Sequence, residues 1–441
     1  MAAHTVSAES LSGALLEAYR KNPTLNSARA GQRATDENVP QALSGWRPTV
    51  TGQGSVQQTW TNNNLSNGTN VYGTPTQENV SIQLKQPIFH GFRTTENTAI
   101  AEAQVRQGQQ LLLSTEQTVL LNGVQAYLDV IRDRRTLQLR QQNLTVLNDQ
   151  LSASNARFKA GELTKTDVAQ SQAGVATARA ALAGTTAQLR SSEATFEQII
   201  GHKPGRLESA PAARPPASLD QALDIAHETN PQILAAAQAV TAAEHTVGST
   251  FSALLPQADL LGTYAYQSNQ NSISSSITDS STLTVQGLVT VPIYEAGLVY
   301  SQVRAAKQKA SQSRISVIDT TRQVRQSVSA NWAAYTSSKQ AVQSSATSVS
   351  ASQTAYDGTK QEYQVGSRST IDVLNAEQTL LNAQISDVSL QHDLILASYR
   401  LQASVGHLTG RHLHLFPLYD AKHNYYEVRN KWIGTHADVL Q

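Results

Sequence analysis

The 441-residue chain has no cysteine, one methionine and only 5% aromatic residues. Without cysteine there can be no disulfide framework, thiolate metal site, cysteine nucleophile or lipidated cysteine. Charged residues amount to 15%, against roughly 25% in ordinary soluble domains. The net charge of +1, from 34 basic and 33 acidic side chains, argues against nucleic-acid binding on a broad basic surface. No window approaches 18 apolar residues, so no transmembrane helix is expected. The first residues, MAAHTVSAES, lack an apolar signal core, so the chain is either cytoplasmic or has had a signal peptide removed. Leucine and valine still recur at regular spacings, which argues against disorder.

One unit is written twice. SLSGALLEAYRKNP (10–23) recurs as SLDQALDIAHETNP (218–231), and Trp46-Arg47-Pro48 as Leu254-Leu255-Pro256, both at a shift of 208. Pro87-Ile88-Phe89 recurs as Pro292-Ile293-Tyr294 at 205, as do RFKAGELTKTDV (157–168) and EYQVGSRSTIDV (362–373). The change of shift falls in NNNLSNGTNVYGTPTQ and SNQNSISSSITDSS, which are therefore expected to be exposed loops. The first repeat is placed at 1–205, a linker at 206–217, the second repeat at 218–410 and a tail at 411–441.

Each repeat carries a long helix, expected over about 93–160 and 298–363. Val105, Leu112 and Val119 lie seven apart; after an eleven-residue step come Val130, Leu137, Leu144, Leu151 and Phe158. Ala310, Val317, Val324, then Tyr335, Val342, Val349, Tyr356 and Tyr363 repeat the pattern, step included. Sustained sevens mean coiled-coil packing, and an eleven-residue step relaxes the supercoil. A helix of that length runs on the order of 100 Å. Shorter helices follow over about 165–200 (Val168, Val175, Leu182, Leu189, Phe196) and 370–405 (Val373, Leu380, Asp387, Leu394, Leu401). These stripes read as helix–helix core, with no ligand required.

Hairpins are expected at about 48–90 and 256–293. Val80, Ile82, Leu84 and Ile88 share one face; Ser81, Gln83 and Lys85 share the other. Leu283, Val285, Val289, Val291 and Ile293 alternate with Thr282, Thr284, Gln286 and Thr290. Two readings stand: membrane β-barrel strands, or half-buried hairpins on a soluble sheet. Four strands cannot close a barrel, so the membrane reading requires eight strands from a dimer or twelve from a trimer. Eight-stranded barrels are filled by side chains, whereas larger ones leave a channel.

The repeat, the NP pairs (22–23, 230–231), the corners QPIFHGF (86–92) and VPIYEAG (291–297), and the tip YQVGSRSTIDVLNA (363–376) together resemble the TolC family of outer-membrane efflux and secretion channels. The resemblance covers about residues 10–410. It implies a mainly α fold with a small β part, in which trimeric coiled-coil helices form an α-barrel below a 12-stranded outer-membrane β-barrel. It further implies a bacterial outer-membrane location with a periplasmic extension and a removed signal peptide. The implied partners are two further copies of the chain, outer-membrane lipid, a periplasmic adaptor and an inner-membrane transporter, with no nucleic acid. The implied role is the gated exit duct of a tripartite efflux pump or type I secretion system, with no enzymatic activity. The rival is a soluble periplasmic coiled-coil structural or adaptor protein without a pore.

At the helix tips, Thr164/Asp167 and Ser369/Asp372 match helix-capping patterns, which alone account for both acids. Asp372 and Asn375 are three apart and share a helix face. By resemblance these two positions ring the periplasmic constriction; only Asp372 is acidic, so one charged ring is expected. A ring of like charges disfavours ionisation, so Asp372 is expected to titrate high. Tyr363 and Arg368 correspond to the family's gate latch, with Thr166 and Asp167 as partners. Gly161 and Gly366 correspond to the tips that meet the adaptor, although a glycine there also suits a left-handed C-cap.

No catalytic site or cofactor is expected: there is no nucleophile motif, phosphate loop or catalytic carboxylate pair. His407, His412, His414 and His423 make a weak metal signal, because the tail has no evident helix or hairpin to hold ligands. Asn64-Leu65-Ser66 and Asn67-Gly68-Thr69 match the glycosylation sequon, which polar loops produce by chance.

Overall fold

A computed structural model describes residues 8–64, 68, 70–271 and 276–435. Helix α1 (Leu11–Lys21) starts where the Ser10 hydroxyl accepts the Gly13 N–H, and α2 (Pro23–Asp36) follows after Asn22. The second repeat does the same with Ser218, α6 (Leu219–Thr229), Asn230 and α7 (Pro231–Phe251). Short α3 (Asn38–Leu43) leads to the sheet. The long helices are α4 (Arg93–Lys159) and α8 (Leu298–Gln364), each of 67 residues. They are followed by α5 (Lys165–Ile200) and α9 (Thr370–Ser404), and α10 (His423–Val428) lies in the tail. The strands are β1 (Thr49–Gln58), β2 (Thr61–Asn64), β3 (Asn70–Gly73), β4 (Thr76–His90), β5 (Gln257–Asn271) and β6 (Ser276–Thr290).

The chain forms two compact units, and each draws on both repeats. One comprises the chain up to Gln32, Gly108–Ala235 and Ile318–Ala421; the other comprises Arg33–Gln107, Ala236–Val317 and the chain from Lys422.

The first unit is helical. Leu15, Leu120, Val124, Tyr127, Phe196 and Ile200 are fully buried in one cluster, each contributing about 1.5–3 kcal/mol. The two NP pairs do one job twice. Asn22 Oδ1 accepts the Thr24 N–H (3.0 Å) while its Nδ2 donates to the Ile199 carbonyl (3.0 Å). Asn230 accepts from Gln232 N–H (2.9 Å) and donates to the Ser404 carbonyl (2.9 Å). Each asparagine caps one helix and pins it to the end of another, with proline at the first helical position where its missing N–H costs nothing. Asn22→Ala and Asn230→Ala should each cost about 0.5–2 kcal/mol, read as a lower unfolding temperature. Asp at either position should recover only the capping part. The one acid in the α9 stripe, Asp387, is satisfied by the Ser345 hydroxyl at 2.5 Å.

The second unit carries an antiparallel sheet in the order β1-β4-β5-β6, so β1 and β6 are its edges. The register aligns Val50, Leu84, Gly262 and Val285 in one row and Gly52, Ile82, Tyr264 and Leu283 in the next. The rows between hold Thr51, Gln83, Thr263 and Thr284, then Gln53, Ser81, Ala265 and Thr282. Side chains alternate across a strand, so one face is apolar and the other polar.

Three expectations need correction. The stretches read as loops are largely strand: β2 pairs with β3, and β5 and β6 run on to Asn271 and Ser276. Backbone ladders need no apolar side chains, so polarity hid them. Second, β6 ends at Thr290 before Pro292 rather than reaching residue 293, because proline has no N–H for the ladder. β4 instead carries Pro87 through a register shift between Pro87 and Phe89. Third, the tail does contain a helix, α10. Six residues are too few for a readable period, and tertiary contacts hold it: Asn424 Nδ2 donates to Asp36 Oδ2 (2.9 Å) and Arg429 pairs with Glu102 (2.9 Å).

Candidate functional site

The tips of the two helical hairpins are built alike. In the first, Gly161 takes φ +80°. Its N–H donates to the Phe158 carbonyl (3.0 Å), and the Glu162 N–H to the Arg157 carbonyl (2.9 Å). In the second, Gly366 takes φ +82°, its N–H donates to Tyr363 O (3.1 Å) and Ser367 N–H to Glu362 O (2.9 Å). Both are Schellman C-caps, and only glycine adopts this conformation without strain. Open space surrounds both glycines.

The next helix starts with a capping box in each tip. Thr164 N–H and Oγ1 donate to Asp167 Oδ2 at 3.0 and 2.7 Å, and Asp167 N–H returns to Thr164 Oγ1 at 3.3 Å. Ser369 N–H and Oγ donate to Asp372 Oδ2 at 3.0 and 2.6 Å, with Asp372 N–H on Ser369 Oγ at 3.4 Å. Both aspartates are therefore helix caps. The hydroxyl bonds, then the backbone bonds, hold both carboxyls below the usual carboxylate range. For Asp372 this direction is opposite to that expected of a charged ring, because the capping bonds lie within the chain whereas a ring needs further copies. A lowered carboxyl stabilises the fold fully above its unfolded pKa of about 3.9 and loses that contribution as pH falls through the folded value. Acidification below about pH 4 should therefore lower the amide protection factors, corrected for the intrinsic pH dependence of exchange, in the first turns of α5 and α9, with no change in protection between neutrality and mild acid.

Tyr363 is only 7% exposed and packs with Tyr356, Val373 and Leu380. The Arg157 guanidinium lies 4.8 Å from its ring centre, a cation–π contact between the two tips. Its hydroxyl is buried and finds no hydrogen-bond partner among the described residues. Arg368 Nε pairs with Glu362 at 2.8 Å, both at the surface. Thr166 is exposed, as is Asn375 one turn beyond Asp372. Sequence reasoning missed Glu362 and Arg157. Their signal was present in the repeat: Arg157 and Glu362 are the same position, and each has an opposite charge just past its turn, at Glu162 (4.0 Å) and Arg368.

Elsewhere, His407 and His412 stack at 4.4 Å, and burial followed by repulsion from His412 lowers the His407 pKa. Among the described residues no three metal-capable side chains cluster. Residues 65–67 and 69 of the two sequons lie outside the described residues. No described helix is long and apolar enough to cross a membrane.

A duplicated set of long helical hairpins, joined to a four-stranded sheet with one apolar face and two open edges, defines the protomer of an outer-membrane duct. The chain belongs to the outer membrane efflux protein family, the TolC family, whose profile covers residues 14–202 and 222–407. It is 39% identical over 430 residues to the outer membrane efflux protein BepC of Brucella suis, covering 97% of this chain and 92% of BepC. It is 24% identical to the outer membrane protein TolC of Vibrio cholerae, over 91% of this chain and 92% of TolC. Its fold matches the Campylobacter jejuni CmeC outer membrane channel with a TM-score of 0.80 at 16% identity, covering 95% of this chain and 89% of that one.

Proposed function

We infer that three copies of this chain form the outer-membrane exit duct of an efflux pump or type I secretion system, engaging a periplasmic adaptor and an inner-membrane transporter. The observation that carries this reading is the sheet. Its β1 and β6 edges have no strand partner among the described residues, and open edges do not persist in hydrocarbon. Three four-stranded sheets make twelve strands, enough for a channel, whereas eight would be filled by side chains. The apolar rows face lipid and the polar rows line the lumen. Extraction that requires detergent and an oligomer resistant to SDS are the expected results. A chain recovered soluble without detergent would favour the poreless coiled-coil alternative.

The tips are the periplasmic mouth in this reading. Asp372 and Asn375 surround the constriction; Tyr363 and Arg368 latch it against Thr166 and Asp167, and the turns at Gly161 and Gly366 meet the adaptor. Glu362 competes with Asp167 for Arg368. Arg368→Ser should raise the closed-state conductance of purified channel in a planar bilayer, and Tyr363→Phe should add to it. An unchanged conductance in the double variant removes the latch assignment.

A further inference from the structure

The tail beyond the repeats carries large apolar side chains that stay mostly exposed. Trp432 is 67% exposed and Ile433 91%. Yet this segment is tied down. Tyr425 packs against Val39, Ala101 and Val105, and Arg429 pairs with Glu102 at 2.9 Å. Arg47 Nη1 donates to the Lys431 carbonyl (3.0 Å), and the Arg47 guanidinium lies 4.8 Å from the Trp432 ring centre. Arg47 stands two residues before β1, which begins at Thr49. Trp432 is thereby held at the level where the sheet begins.

The surroundings at that level fit a lipid headgroup layer. Trp46, next to Arg47, is exposed, as are Phe92 just past β4 and Ile293 and Tyr294 just past β6. Amphipathic aromatics gather at membrane interfaces, where the ring sits among headgroups. Lys431 precedes Trp432 in the chain, and a basic side chain at that level suits anionic headgroups.

We propose that the C-terminal tail seats Trp432 and Ile433 in the headgroup layer of the inner leaflet at the periplasmic rim of the barrel, with Arg47 as the clamp that places them. The proposal rests on the outer-membrane reading above. Arg47 acts here through its bond to the Lys431 carbonyl and the face of its guanidinium, so Arg47→Ala should free Trp432 and Ile433 while Tyr425 and Arg429 keep the rest of the segment in place and the barrel strands are unaltered.

The test is tryptophan quenching by brominated phospholipid in vesicles that contain the full-length assembled channel. Trp46, Trp60 and Trp332 are changed to phenylalanine so that Trp432 reports alone. Lipids brominated near the headgroup should quench it strongly, lipids brominated near the chain ends weakly, and Arg47→Ala should abolish the quenching. Should that variant fail to assemble, the spectrum lost from the parent in Trp432→Phe gives the same reading. An unquenched, red-shifted Trp432 means the tail lies in water. An unquenched, blue-shifted one means a neighbouring copy covers it. Either result overturns the proposal, as does quenching only by the deep probe. Val285→Trp in the same background separates the two levels of inference. If it is quenched by the deep probe and Trp432 is not, the tail proposal alone fails; if neither is quenched, the membrane reading fails with it.

Discussion

Val285→Arg is expected to abolish most assembly of the oligomer while Thr284→Arg, one residue away, assembles. Val285 is 71% exposed in the single chain and lies in the row Val50, Leu84, Gly262, Val285. Thr284 lies in the row of Thr51, Gln83 and Thr263 on the opposite face. Arginine near the bilayer midplane costs about 2–4 kcal/mol on the lipid face of a barrel strand, and little on a wet lumen. A trimer contains the substitution three times, so the loss compounds. The amount of SDS-resistant oligomer in the membrane fraction measures the effect. If both variants assemble equally, neither face meets lipid and the barrel is wrong.

The second large effect concerns Asp372. In the proposed duct three copies of this carboxylate would surround one narrow opening, and rings of acidic side chains attract cations. The closed channel should prefer cations, and a trivalent cation added from the periplasmic side should block it. Asp372→Ala should nearly abolish block, and Asn375→Asp should strengthen it by adding a second ring. Asp372 is also a cap, bonded through Oδ2 to both groups of Ser369, so alanine removes charge and cap together. Asp372→Asn separates them, since its amide oxygen can still accept the Ser369 N–H while the charge is gone. Loss of block in both variants assigns the charge to the pore. Block that survives in both leaves Asp372 a helix cap only.

Much of this was legible because the chain says it twice. A stripe seven residues apart, broken by the same eleven-residue step in both halves, leaves little freedom in where α4 and α8 lie. The capping boxes at Thr164 and Ser369 and the C-cap glycines at 161 and 366 were readable because they depend on neighbours only a few residues away. The alternation in β4 and β6 likewise separated an apolar face from a polar one before any pairing was known. Sequence proximity did not reveal that Arg157 of one repeat covers Tyr363 of the other; the Arg368–Glu362 pair, only six residues apart, was legible from the repeat but overlooked. The polar ends of β5 and β6 were also hidden, because ladder bonds are made by backbone atoms common to every residue.

Local and repeated features belong to the sequence by itself: the helices and two-faced strands follow from side chains spaced by 3.6 or by two, the caps from residues a few positions apart, and the duplication from the same pattern written twice. The tertiary structure alone decided which partner each exposed group finds. The order β1-β4-β5-β6, which joins the two repeats through β4 and β5 and leaves two open edges, is a long-range choice. So is the seating of α10 against Asp36 and Glu102, and of Trp432 over Arg47. The β4–β5 pairing and the tail contacts join residues far apart in the chain, where no periodicity operates and only the packed backbone brings the groups within reach.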